Sequence, residues 1–138
     1  MDVSTLNTKD PAENGAFLHL RHPFTGELLW SDEKKTEKVG LMVRGNEAPT
    51  VQKALKKVTR GLNTRKRARP GDSDEKRGMI YARALVMEFI GLTKEGRDLD
   101  ADDESDIEWF FDQSDDFVAQ VIEFAEDRAN FFKAPKSD

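Results

Sequence analysis

Apolar and polar residues alternate through Ala16-Phe-Leu-His-Leu-Arg-His22, the two-residue period of a strand. Pro23-Phe-Thr-Gly26 supplies turn chemistry and Glu27-Leu-Leu-Trp30 a returning arm, which predicts a β-hairpin. After a charged loop from Ser31 to Lys38, Val39-Gly-Leu-Met-Val43 reads as a third short strand ended by Gly45. So small a sheet needs helical cover. From Pro49 the period changes: Val51, Leu55, Val58 and Leu62 form one helical stripe, opposite Lys53, Lys56, Lys57 and Arg60. Pro70-Gly71 stops that run, and Ser73 or Asp74 can cap a helix from Glu75 to Ile90 with Met79, Ala82, Val86, Phe89 and Ile90 on its apolar side, closed by Gly91. Thr93 to Glu104 is a polar, acid-rich connection. Beyond it, Ile107, Phe110 and Phe111, then Phe117, Val121, Phe124 or Ala125, and Phe132, recur at helical spacing in two amphipathic helices.

The expected fold is therefore α+β: a small N-terminal antiparallel hairpin or three-stranded sheet packed with three to four helices, the C-terminal half mainly helical. Phe17, Leu20, Leu41, Val43, Leu55, Val58, Val86, Phe89, Val121 and Phe124 are the expected core. Residues 1–15 read as a flexible lead-in, 16–132 as one domain and 133–138 as a disordered tail. At 138 residues the chain has room for one core and not for a second full domain. Without cysteine it can form neither disulfides nor thiolate zinc sites. Its first residues lack the basic and apolar regions of a signal peptide, and no stretch has the roughly 18 consecutive apolar residues of a membrane span, so a cytoplasmic, unanchored protein is expected.

Charge is segregated. Lys53, Lys56, Lys57, Arg60, Arg65, Lys66, Arg67 and Arg69 form a basic run with no acid among them, whereas Asp98 to Asp116 holds ten acids and no base. Basic clusters bind phosphates by releasing counterions. No aromatic interleaves this one, however, and the net charge is -5, so charge pairing within the fold, between copies or with a protein partner ranks above nucleic-acid binding. Counted as a calcium loop from Asp98, the acidic block has Asp103 where glycine is required and Trp109 where a bidentate glutamate belongs; counting from Asp100 does no better. His19 and His22, three apart on a strand, point to opposite faces and cannot share a metal. No nucleophilic triad or phosphate loop can be assembled, and neither enzyme activity nor a cofactor is expected.

Six of the nine phenylalanines and one of the two tryptophans lie between Asp106 and Phe132 among many carboxylates. Stripes of this kind usually pack a domain's interior; the functional reading leaves several exposed as partner anchors, with Trp109, Phe110, Phe117, Phe131 and Phe132 the candidates.

Three segments resemble the tail assembly chaperones of long-tailed, siphovirus-type bacteriophages: His22-Pro-Phe-Thr-Gly-Glu27 after a strand, Val39 to Leu55 as strand, glycine and helix, and Asp127-Arg-Ala-Asn-Phe131 at the end of an aromatic helix that is preceded by Ile107-Glu-Trp and Gln120-Val. Asn46-Glu-Ala-Pro49, where an Asp-Ser-like cap would be expected, and the basic connector Asn63 to Gly71 depart from the family pattern. The resemblance implies a non-enzymatic protein of the host bacterial cytoplasm, absent from the mature virion, that keeps the tape measure protein soluble and helps recruit tail tube subunits, with Arg128 in its terminal signature and possible homo-oligomers. It also implies a frameshifted longer form contacting the tube protein, spliced near Ala134 to Asp138. A competing expectation, from the acidic block, is a nucleic-acid-mimicking inhibitor of a host DNA-binding enzyme.

Overall fold

The computed structural model describes residues 2–64 and 72–132. Arg65, Lys66, Arg67, Arg69 and the tail from 133 to 138 lie outside the described residues, as do the side chains of Val58 and Arg60. The fold is α+β, with the N-terminal antiparallel sheet and helical C-terminal half expected from the sequence. Its elements are α1 (Lys9–Asn14), β1 (Ala16–His19), β2 (Gly40–Val43), α2 (Pro49–Thr64), α3 (Asp72–Leu85), β3 (Val86–Ile90), the short pair β4 (Thr93–Lys94) and β5 (Arg97–Asp98), α4 (Glu104–Asp112) and α5 (Asp115–Glu126).

The main sheet has the order β1-β2-β3, antiparallel throughout. Its third strand corrects the sequence reading, because Val86 to Ile90 is not the end of a helix: α3 stops at Leu85 and passes straight into β3. Val43 pairs with Val86 but Met42 with Glu88, so Met87 is an extra residue. Such a bulge reverses the inward-outward parity and turns both Val86 and Phe89, three apart, toward the core. That spacing is also helical, which is how a bulged strand came to resemble a helix face.

Leu18, Leu20, Leu41, Val43, Val86 and Phe89 bury one face of the sheet beneath the helices, meeting Ala82, Leu85, Ile107, Phe110, Phe111 and Val121. Phe17, expected in the core, alternates with Leu18 and lies on the other face, half-buried. Leu55 and Phe124 are also only half-buried, at the core's edge. The returning arm after the turn is joined by isolated bridges, Arg21 to Leu28 and Trp30 to Lys38, rather than forming a regular strand. The connection from Thr93 contains a hairpin of its own, turned at Glu95-Gly96 with both φ angles positive, 50° and 79°.

The lead-in is a further correction. Residues 9–14 form α1, whose Ala12 is 2 % exposed and whose carbonyl accepts the Gly45 amide at 2.9 Å. There is no room for a side chain at Gly45, where an added Cβ would stand 2.9 Å from that of Ala12. Glu13 accepts hydrogen bonds from the Thr50 amide (3.1 Å) and hydroxyl and pairs with Arg44 at 3.0 Å. A carboxylate at the N-terminus of α2 answers amides that have no partner within the helix. The cap missing from Asn46 to Pro49 is thus delivered by α1.

Candidate protein-binding surface

Asp103 caps α4 by accepting the Ser105 amide, and Ser114 caps α5 by accepting that of Asp116. These caps set where both aromatic helices begin. Phe110 is 2 % exposed and is core, not an anchor as the sequence suggested: its ring meets Phe89 edge-on at 5.2 Å and stacks on Phe117 at 4.9 Å, while Phe111 is equally buried beside it. Phe117 is half-buried under that stack. Trp109, also half-buried, carries the Lys94 ammonium 5.0 Å from its ring centroid, a cation-π contact across from the β4-β5 hairpin.

Residues Asp127 to Phe131 form a compact structural unit. Asp127 caps a 3-10 turn at Arg128–Asn130 by accepting the Ala129 amide, and Asn130 donates at 2.9 Å to the Phe124 carbonyl, which also accepts the Asp127 amide at 3.3 Å. Phe131 packs edge-on against Phe124 at 5.6 Å and closes over Gly45. Arg128 reaches Glu47 at 2.5 Å with its side chain 71 % exposed. Phe131 and Phe132 are half-buried but belong neither to the core cluster nor to the residues packed on it. Among the candidate anchors these two lie outside that cluster, although Phe131 still packs on Phe124 and Gly45.

Lys53, Lys56 and Lys57 are exposed on α2, and none pairs with a carboxylate among the described residues. In the acidic block, Asp106 differs from its neighbours in being buried. It is 2 % exposed, accepts two guanidinium bonds from Arg97 at 2.8 and 2.9 Å, and accepts the Asp100 amide. The bonds from Arg97, then that from Asp100, hold its carboxyl well below the usual carboxylate range. The other nine acids of the block are exposed. α3 packs against α2 and also against α4 and α5, and no ion pair joins these lysines to these carboxylates among the described residues.

Two surface features escaped the sequence reading. Phe24 is 92 % exposed at the tip of the turn, in a loop held by the His22 ring nitrogen accepting the Phe24 amide at 3.1 Å and by a 2.9 Å bond from the Gly26 amide to the His22 carbonyl. An aromatic among turn residues was the available signal. The second is the outer face of the sheet, where Phe17, His19, Met42 and Ile90 gather with Trp30, whose ring meets His19 edge-on at 4.7 Å. Strict alternation around Leu18 and Leu20 would have found it.

A cleft of about 440 Å³ is lined by Arg44, Arg83, Asp102, Glu104 and apolar neighbours. Its arginines are already engaged, Arg44 with Glu13 and Arg83 with Glu108. Among the described residues no group of three or more acidic or histidine side chains is placed to hold a metal ion, and no helix is long and apolar enough to cross a membrane. No family model, curated protein or solved structure matches the chain.

Proposed function

We propose that this chain is a tail assembly chaperone of the siphovirus type, a binding protein that holds the tape measure protein in solution in the bacterial cytoplasm and helps bring tail tube subunits to it. The observation carrying this reading is the pair Phe131 and Phe132 at the end of α5, half-exposed, outside the core cluster and flanked by the exposed Arg128. Aromatics of this kind give a long apolar helix large contact area with little side-chain ordering. Exposed Asp112, Asp115, Asp116 and Glu123 nearby in the chain keep an unoccupied binding protein soluble. The resemblance of Asp127 to Phe131 to the family's terminal signature supports the same reading.

Co-expression with the large helical protein encoded beside it tests the proposal. A soluble complex is expected, and Phe131→Ala with Phe132→Ala should abolish co-purification while lowering the melting temperature by only a few degrees, the cost of the Phe131 contact with Phe124. An insoluble tape protein despite abundant chaperone would refute the reading. Loss of binding accompanied by a large fall in melting temperature would instead give the two rings a structural role.

A further inference from the structure

The helices cover one face of the β1-β2-β3 sheet; Phe17, Trp30, Met42, Glu88 and Ile90 on or beside the other face all stay outside the core cluster. We propose that this outer face is a homodimer interface and that its occupant is a second copy of the same chain.

The face carries opposite charges on the two sides of its centre, Lys38 in line with the middle strand and Glu88 on β3. Gly40 lies in the middle of it, where a Cβ would stand 1.9 Å from the Leu18 carbonyl oxygen and 3.0 Å from the Phe17 ring, so that ring lies across bare backbone. Two residues to one side along β2 is Met42, paired with Glu88; two residues to the other is Lys38, bridged to Trp30. By strand alternation Lys38, Gly40 and Met42 share the outer face, with buried Val39 and Leu41 turned inward. Lys38 and Glu88 are both exposed, and neither has an ion-pair partner among the described residues.

This pattern is self-complementary. A two-fold axis running across the strands at the level of Gly40 carries Lys38 of the second copy over Met42, one strand spacing, about 4.8 Å, from Glu88. The same operation returns the contact in the other direction and sets Phe17 of each copy facing Trp30 of the other. Met42 and Ile90 complete the apolar centre, and the two charges fix the orientation. An unrelated partner would have to supply an acid and a base at matching separations, whereas symmetry supplies both. The inference is independent of the chaperone reading, since a dimer could form whether or not the tape protein is the ligand.

Sedimentation equilibrium on the full chain tests it. Between roughly 1 and 100 µM the wild type should pass toward twice its 15.7 kDa mass. Lys38→Glu and Glu88→Lys should each weaken association at least tenfold, and the double variant should restore it, with circular dichroism confirming folded protein throughout. A wild type that stays monomeric overturns the proposal; so does a dimer indifferent to all three variants, or a double variant that stays monomeric when both single variants do. Should a single variant fail to fold, Trp109→Phe leaves Trp30 as the sole tryptophan. Its emission should move to shorter wavelength as concentration rises, and emission independent of concentration sinks the interface.

Discussion

Tyr81, the only tyrosine, is half-buried on α3, and burial followed by the negative charge of Glu126 pushes its phenol up to about 12. A raised folded-state pKa means that the neutral form is favoured by the fold: the contribution is complete below the unfolded value near 10 and is lost as pH climbs toward 12. Ultraviolet titration of phenolate absorbance therefore reads one residue, and should give a midpoint near 12 in buffer and about 10 in denaturant. Asp106 runs the opposite way. Its lowered pKa contributes stability above the ordinary carboxylate range near 4, and that contribution fades as pH falls below it. Arg97→Met should move acid unfolding, followed by circular dichroism, to higher pH; an unchanged midpoint would remove the pair from the stability argument. At Gly40, alanine would drive a methyl into the Leu18 carbonyl, and urea unfolding should register a loss of roughly 2 kcal/mol or more.

Elements were legible where one periodicity dominated. Val51 and Leu55 announced α2, Leu41 and Val43 announced β2, and the aromatic stripes announced α4 and α5. Legibility failed where tertiary structure set the answer: Val86 and Phe89 share a face because of a bulge defined by a strand far away in sequence, and Phe110 rather than Trp109 points inward because α4 meets β3 through Phe89. The candidate binding surface was legible as a composition, aromatic and acidic, but its exposed members depend on that same packing. Helix α1 gave almost no pattern, since six residues cannot sustain a helix without docking. Its support is Ala12 against Gly45 and Glu13 on Thr50. Glu13→Ala should consequently cost about 1 kcal/mol, the usual value of a lost helix cap, and lower the melting temperature by roughly 3 °C. Thermal scans of this variant beside Thr50→Ala should show less than additive losses, because both remove one interaction.

At the scale of the molecule, the helices meet one sheet face, and Phe24, Phe131, Phe132 and the apolar residues of the outer face lie outside the core cluster. Phe24→Ser should leave stability within about 0.5 kcal/mol in urea titration, as expected for a side chain 92 % exposed. The topology of the sheet also bears on kinetics. The middle strand, β2, finds one neighbour before it in the chain and the other only after all of α2 and α3. Closing so distant a pairing places refolding in the millisecond regime of mixed α/β topologies rather than the microsecond regime of helical bundles. During synthesis β1 and β2 can form only a marginal two-stranded ribbon until β3 emerges from the ribosome, so the newborn protein passes through an interval in which Leu41 and Val43 are still without the strand that will enclose them.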